Sequence, residues 1–260
     1  MICYNHTMKR LKDLSVAIPL FQDWEETIIW SCLQGVMGEI FVDNLEEPKS
    51  ALAKLGKEAS FGFLAGKPNL DLIEECRGEA IILVPQHEGW RELIESTYGE
   101  KAKAFTRYAT KKDTQFDREK LEEFVTSLPE GFELQFMDEQ LYNACLTEEW
   151  SQDLVANYDD YQHYSQLGLG VVALYQGKLV AGASSYSTYE KGIEIEIDTH
   201  PDFRRKGLAK SVAAKLILTC LDRGLYPSWD AHTKISLDLA EKLGYEFSHE
   251  YRAYEIAWNK

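Results

Sequence analysis

The chain has 260 residues, of which 45% are hydrophobic and 27% are charged, and its formal net charge is −15 at pH 7. This length and composition are typical of a globular protein with one large domain or two ordinary ones. The negative charge argues against nucleic-acid binding through phosphate neutralisation, and no apolar run approaches the ~20 residues of a membrane span.

The N-terminal segment and the cysteines bear on the compartment. "KRLKDLSVAIPLF" has only a short apolar run, interrupted by Pro19, so the sequence predicts no signal peptide. The five cysteines form no CxxC pair, which leaves zinc and dithiol redox sites without a motif. We therefore expect a cytoplasmic protein with reduced thiols, no metal, no nucleic-acid partner and no membrane.

The first hundred residues mix helix and strand patterns and contain no chemical motif. "WEETIIWSCLQGVMG" predicts a helix that stops near two glycines, and "EGWRELIESTYGEKA" predicts a second helix. "EIFVDN", "ASFGFLAGKP" and "EAIILVP" predict strands.

Residues 101–130 are charge-rich and predict a connector that holds one amphipathic helix, "DREKLEEFVTSL". We expect an N-terminal α/β module over residues 1–115, a connector over 116–130 and a second domain over 131–260.

The last 130 residues predict the element order β-α-α-β-β-β-α-β-α-β. "FELQFM" is the first strand, and "DEQLYNACL" and "EEWSQDLVANY" are the two helices. Three strands follow from "LGVVALY" to "GIEIEID", joined by glycine turns. In the next helix, Leu208, Val212, Leu216 and Cys220 share one face. "LYPSWDA", "SLDLAEKLGY" and "EFSHEYRAYEIAW" complete the order, and the last of them is expected to close the sheet.

Three basic residues stand at the start of that helix. Arg204, Arg205 and Lys206 precede Gly207, where the backbone N–H groups of a first helical turn lack partners. Basic side chains oppose the helix dipole at this end unless an anion is bound there, and glycine lets an anion approach the backbone closely. The pattern predicts a site for phosphate or pyrophosphate.

The strand before this turn alternates isoleucine with acids. Glu194, Glu196 and Asp198 fall on one face, and an edge strand in water would be their simplest explanation. The crossover helix that follows favours a position inside the sheet instead. A carboxylate there can take a proton from an amine.

"THPDFRRKGLAKSVAAKLI" resembles the acetyl-CoA motif of the GCN5-related N-acetyltransferases (GNAT). The family signature, Arg or Gln, two residues, Gly, one residue, Gly or Ala, is present as Arg204, Gly207 and Ala209, with Pro201 before it. The downstream "SLDLAEKLGYEF" is similar to the family's next helix and turn, and the match covers about residues 131–258. Phrases such as "GIEIEIDT" and "GLYPSWDA" resemble the bacterial branch that includes the zwittermicin A resistance acetyltransferase.

The resemblance implies an α/β acyltransferase fold with a mixed, mostly antiparallel, splayed sheet, and an N-terminal module that is a degenerate copy or an added α/β unit. It implies direct transfer from acetyl-CoA to a primary amine of a small molecule, with Glu196 as the base and Glu194 as the second candidate. In the resembling family the region of Trp150 helps to form the acceptor pocket. Trp229 and His232 are further candidates for substrate binding, and a homodimer stays open. The residues that the resemblance assigns to acetyl-CoA are Ile197, Asp198, Thr199, Arg204, Arg205, Lys206, Gly207, Leu208, Ala209 and Ser236.

The sequence departs from the family pattern at two positions. Thr233 stands where many relatives have asparagine, and Ala240 stands where many have the tyrosine that protonates the departing thiolate. Tyr245 and Ser236 are candidates for that acid. Two alternatives therefore stay open: a protein or peptide acceptor, and a non-catalytic module that senses acyl-CoA.

Other motifs give weaker signals. "GLGVVA" matches a dinucleotide fingerprint but opens a strand rather than a helix, so we reject it. His200 and His232 follow predicted strands and are candidates for a second base or a substrate contact. No GxSxG motif supports a serine hydrolase.

Overall fold

The computed structural model describes residues 9–56 and 60–258. Their contacts divide them into two units. The first unit contains the described residues up to Thr106 and from Arg252 onward, and the second unit contains Arg107–Tyr251. The elements of the first unit are β1 (Lys9–Arg10), a 3-10 helix (Leu14–Phe21), α1 (Thr27–Leu33), β2 (Glu39–Val42), β3 (Ser50–Leu55), β4 (Ser60–Gly66), α2 (Leu70–Glu74), β5 (Ile81–Pro85), α3 (Glu88–Tyr98), a 3-10 turn (Gly99–Lys101) and β6 (Ala102–Thr110), which continues into the second unit.

The elements of the second unit follow the end of β6. They are α4 (Arg118–Thr126), β7 (Phe132–Phe136), α5 (Glu139–Cys145), a 3-10 helix (Gln152–Leu154), α6 (Tyr161–Leu167), β8 (Gly170–Tyr175), β9 (Lys178–Tyr189), β10 (Gly192–Thr199), a 3-10 helix (Pro201–Phe203), α7 (Leu208–Asp222), β11 (Tyr226–Ser228), β12 (Asp230–Ala231), α8 (Lys234–Leu243) and β13 (Phe247–Ile256), whose last residues belong to the first unit.

The sheet of the second unit has the strand order β11-β10-β9-β8-β7. Neighbouring strands are antiparallel except β10 and β11, which are parallel because α7 carries the chain back across the sheet. The predicted face of α7, Leu208, Val212, Leu216 and Cys220, is buried against this sheet, so that prediction is confirmed. The acidic strand β10 lies inside the sheet, between β9 and β11, as the crossover argument predicts.

The first unit repeats this order of elements. Strands β1 to β4 pair antiparallel in sequence, α2 follows β4, and β5 returns parallel to β4. The second unit does the same with β7 to β10, α7 and β11. The first series then continues with α3 and β6, and the second with the short strand β12, α8 and β13. In the first unit, however, β5 pairs with β13, the last strand of the chain, at Ile81 to Leu83.

Three sequence expectations are wrong. "EEWSQDLVANY" forms only the 3-10 turn Gln152–Leu154, and the second helix is α6, because Asp160 caps it by accepting a hydrogen bond from the His163 N–H. The connector over 101–130 contains a nine-residue strand, β6. The last strand does not close the second unit's five-stranded sheet, since its C-terminal part pairs with β5. The short elements β1, β3 and α2 also lack a sequence prediction.

The expected fold class is confirmed. The sheets are mixed and mostly antiparallel, as predicted for the α/β class. Cys32, Cys76, Cys145 and Cys220 are buried free thiols, and Cys3 lies outside the described residues. In the described part of the chain, no helix combines the length and the apolar character needed to cross a membrane.

Candidate active site

An opening forms where β10 and β11 separate. The two strands pair only from Gly192 to Glu194 on β10, which lie beside Tyr226 to Ser228. Beyond Ser228 the chain turns to β12, which pairs with β6 instead, at Asp230 with Ala109. The remainder of β10 therefore has β9 on one side and, among the described strands, no partner on the other.

The free edge of β10 presents backbone groups to this opening. The N–H of His200 donates to the carbonyl of Val180 on the β9 side, at 2.9 Å. Because peptide groups alternate in direction along a strand, those of Thr199 and Ile197 point into the opening. There the Thr199 carbonyl accepts from Arg204 Nε at 3.2 Å, and the Ile197 N–H donates to Glu196 Oε1 at 3.1 Å.

The basic turn lies between this edge and α7. Residues 204–207 are exposed, and both Arg205 (φ 62°) and Gly207 (φ 84°) adopt left-handed backbone conformations. Gly207 caps α7 without a side-chain acceptor, and nothing lies within 4 Å of where its Cβ would be. The first helical hydrogen bond runs from the Ser211 N–H to Gly207, so the N–H groups of the first turn stay open to an anion.

Three carboxylates converge at the end of β10. Glu196 and Asp198 project from one face of the strand, and Asp153 approaches from the 3-10 helix Gln152–Leu154. Burial, followed by the charges of Asp198 and Asp153, raises the pKa of Glu196, while the Ile197 N–H and Arg107 lower it, and the net result is a pKa of about 8. Burial and the charge of Asp153 also raise the pKa of Asp198, to about 6, although the charge of Arg204 lowers it. Burial raises the pKa of Asp153.

Close packing places Asp153 over the strands. Leu154 is buried against β9, and its Cδ1 lies 2.6 Å from the position that a Cβ on Gly182 would take. Gly182 is the register partner of Asp198. The 3-10 helix can therefore approach β9 and β10 only because position 182 has no side chain.

A second set of polar side chains borders the carboxylates. Tyr186 is the extra residue of a β-bulge on β9, between the partners of Glu194 and Ile195, and it interacts electrostatically with Glu196. Burial raises the pKa of Tyr186, a hydrogen bond with Asn157 lowers it, and Glu196 raises it further. Arg107 of β6 also interacts electrostatically with both Glu196 and Tyr186.

The sequence-predicted residues fall into separate groups. Ile197, Asp198, Thr199, Arg204 and the turn up to Ala209 share the opening with Glu196, whereas Glu194 lies where β10 is paired on both sides. Trp229 and Tyr245 are buried in the core cluster with Ile193 and Ile195.

The hydroxyl of Tyr245 donates to the carbonyl of Pro227 at 2.5 Å, and burial raises its pKa well above the ordinary value. Ser236 Oγ accepts from Trp229 Nε1 at 3.1 Å. Neither hydroxyl is grouped with the three carboxylates. Thr233 caps α8 by accepting from the Ser236 N–H.

The remaining candidates lie near strand ends. Trp150 is half-buried and packs edge-on against His200 at 5.6 Å between ring centroids. His200 Nδ1 accepts from the Asp202 N–H, so it caps the 3-10 helix that precedes the basic turn. His232 Nδ1 lies 3.2 Å from Arg107 Nη1.

Sequence reasoning missed Asp153, Tyr186 and Arg107. Arg107 sits in a segment that reads as a connector, and Asp153 sits in a segment that reads as a helix. Tyr186 lies in a predicted strand, but a bulge is needed to aim it at the carboxylates. Within the described residues, no group of three or more His, Cys, Asp or Glu side chains is arranged to hold a metal ion.

Comparisons with known proteins agree with this geometry. A crystal structure of a GCN5-related N-acetyltransferase-like protein from Streptococcus suis 89/1591 is 57% identical, covers 94% of this chain and 98% of its own, and superposes with a TM-score of 0.92. The uncharacterized N-acetyltransferase YdfB of Bacillus subtilis (strain 168) is 25% identical over 247 residues, which are 88% of this chain and 89% of that protein.

A Drosophila protein of known structure is 12% identical, with 97% and 99% of the two chains covered and a TM-score of 0.64, and shows the fold alone. The sequence model of the GNAT acetyltransferase family matches residues 18–254, which include most of the first unit and all of the second. The chain thus belongs to the GNAT acetyltransferase family, the acyltransferases that the basic turn and the open strand edge indicate.

Proposed function

We propose that this enzyme transfers the acetyl group of acetyl-CoA to a primary amine of a small, cationic molecule. The observation that carries the proposal is the placement of the Glu196 carboxyl, with its raised pKa, at the unpaired edge of β10, next to Asp198 and Asp153. A carboxyl there is close to the strand edge that can hold a thioester, and the surrounding negative charge attracts an ammonium group.

The turn and the strand edge fit the two halves of coenzyme A. The N–H groups from Arg205 to Ala209, with the charges of Arg204 and Lys206, suit the pyrophosphate. The open space at Gly207 leaves the backbone accessible to it. The peptide groups of Ile197 to Thr199 suit the pantetheine arm, which would pair with β10 as a further strand does.

The reaction follows from this arrangement. Glu196 accepts a proton from the acceptor's ammonium group, and the free amine nitrogen attacks the thioester carbon. A C–N bond forms and the C–S bond breaks, while the Ile197 N–H stabilises the negative oxygen once Glu196 Oε1 no longer accepts from it. The thiolate leaves and takes, directly or through water, the second proton that the attacking nitrogen must lose, and Glu196 then releases its own proton to solvent. Positioning and electrostatics supply the rate.

The first unit is proposed as a copy of the fold without a cosubstrate site. Strand β4 pairs with β5 from Ser60 to Leu64, so no comparable opening forms. At the end of β4, the Gly66 carbonyl accepts from Trp90 Nε1 at 2.9 Å and its N–H donates to Gln86 Oε1 at 2.9 Å. These contacts occupy the backbone at the end of β4, which corresponds to the end of β10 at Thr199. We expect one acetyl-CoA per chain.

The finer assignments are also proposals. The predicted division at residues 115 and 130 stays a prediction, as does membership of the branch that includes the zwittermicin A resistance acetyltransferase. We infer a cytoplasmic enzyme, because acetyl-CoA is produced and consumed inside cells.

Acceptor charge provides the direct test. With acetyl-CoA saturating, we expect kcat/KM for a linear diamine to exceed that for a monoamine of equal length by about ten-fold or more, because Asp153 and Asp198 add an attraction that the monoamine cannot use. Mass spectrometry of the acetylated products measures this. A preference for the monoamine over the diamine would contradict a cationic acceptor. Acetylation of peptides but of neither amine would favour the peptide acceptor.

The pH dependence of kcat follows from the raised pKa of Glu196. The base works only when it is ionised, so the rate should rise through a pKa of about 8 and level off above it. Burial is the main cause, and the charge of Asp198 contributes, so the Asp198→Asn variant should move the rise to lower pH. A rise near the ordinary glutamate value of about 4.3 would exclude Glu196 in this state as the base.

A further inference from the structure

A buried ionic network lies on the side of the opening opposite β10, where the chain leaves β11 for β12. Arg107 Nε donates to Asp230 Oδ1 at 2.6 Å and to the Tyr251 hydroxyl at 3.1 Å, and Tyr251 donates to the same Asp230 oxygen at 2.9 Å. The side chains of Arg107 and Asp230 are 9% and 7% exposed. His232 Nδ1 lies 3.2 Å from Arg107 Nη1. The guanidinium is therefore fixed by partners from two strands, β12 and β13, and a loop.

The strand register places this network across the opening from Glu196. Glu194 and Ser228 are register partners where β10 and β11 are paired. Glu196 lies two residues after Glu194, and Asp230 lies two residues after Ser228, both beyond the point at which the strands separate. The guanidinium of Arg107 interacts electrostatically with Glu196 and with the Tyr186 phenol.

A purely structural role explains this network poorly. Replacing a buried ion pair by apolar side chains of similar volume is often neutral or stabilising, so burial of such a pair is weak grounds for stability. The Asp230 Oδ2 atom is buried and has no hydrogen-bond partner among the described residues, so the pair is not optimised as a closed structural unit. A cation held rigidly beside a general base has a direct use, because it favours the ionised base.

We propose that Arg107 is a positioning residue of the acetyl-transfer site, held by Asp230 and Tyr251 so that its charge acts on Glu196. The proposal rests on the proposed function. The charged and titratable groups that face Glu196 are Asp198 on the same strand, Asp153 on the 3-10 helix, Tyr186 on β9 and Arg107 on β6. Arg107 is the cation of this set, and it opposes the two aspartates.

Charge variants test the proposal by the sign of a shift in the pH profile of kcat. Arg107→Met removes the positive charge, so the rise in kcat should move up by about one pH unit. Asp230→Asn removes the negative charge that is paired with the guanidinium, so the rise in kcat should move to lower pH. Tyr251→Phe changes no charge and should leave it in place. Opposite shifts for Arg107→Met and Asp230→Asn support the proposal, because general damage to the fold has no reason to produce them.

Folding controls keep the test decisive. Arg107→Met strands a buried carboxylate, and if this variant does not fold, Asp230→Asn and Arg107→Lys carry the test, the latter retaining the charge and therefore the profile. A pH profile that moves in none of the folded variants overturns the proposal. If the unmodified enzyme shows neither a thermal shift with acetyl-CoA nor turnover, the proposed function itself is rejected.

Discussion

The Gly207→Glu variant should bind acetyl-CoA on the order of 10³-fold more weakly than the unmodified enzyme. Its carboxylate would stand where the pyrophosphate meets the first turn of α7, and like charges about 4 Å apart near a protein surface repel by about 4 kcal/mol. Thermal unfolding with and without acetyl-CoA measures the loss. At one hundred times its dissociation constant, the ligand should stabilise the unmodified enzyme by about 2.7 kcal/mol, and the variant far less.

A matched variant separates this effect from backbone strain. Gly177 in the turn between β8 and β9 has φ 75°, close to the 84° of Gly207, and nothing lies within 4 Å of its Cβ position either. Both glutamates should therefore cost a similar ~1–2 kcal/mol of strain. Only Gly207→Glu should lose the response to acetyl-CoA. A full response in both variants would leave the basic turn as a solvated surface feature.

Local sequence signals were sufficient for the half of the site that one continuous segment builds. The alternation over residues 193–198 predicts β10, and the i, i+4 spacing from Leu208 to Cys220 predicts the buried face of α7. The basic turn falls between these two elements, so its place in the fold follows from theirs. Each of these features depends on neighbours within a few residues.

The other half of the site depends on pairings that no local pattern encodes. Arg107 meets Asp230 across 123 positions, and only the pairing of β6 with β12 brings them together. Asp153 lies in a single 3-10 turn, and the contact of Leu154 with Gly182 on β9 holds that turn in place. The pairing of β13 with β5 is also not encoded locally, since the alternating pattern of β13 fits either sheet. Tertiary packing decides these cases, and propensity does not.

The Glu196→Gln variant should lower kcat by about 10²–10⁴-fold, the usual contribution of a general base. Glutamine keeps the shape of the side chain and can still accept from the Ile197 N–H through its amide oxygen, so the strand edge should stay intact. The acetyl-CoA-induced thermal shift should therefore persist, because the basic turn is untouched. Steady-state kinetics with a diamine acceptor, with both substrates saturating, measures the loss.

The same exchange at Glu194 is the matched control. Glu194 lies on the same strand but inside its paired segment, with register partners Ser187 on β9 and Ser228 on β11, so acetyl-CoA cannot pair with β10 there. Glu194→Gln should change kcat by no more than a few-fold. If Glu194→Gln instead lost the activity and Glu196→Gln kept it, the base would lie in the paired part of the sheet. The separation of β10 from β11 would then have to extend further in the acetyl-CoA complex, since a base must reach the amine whose proton it takes.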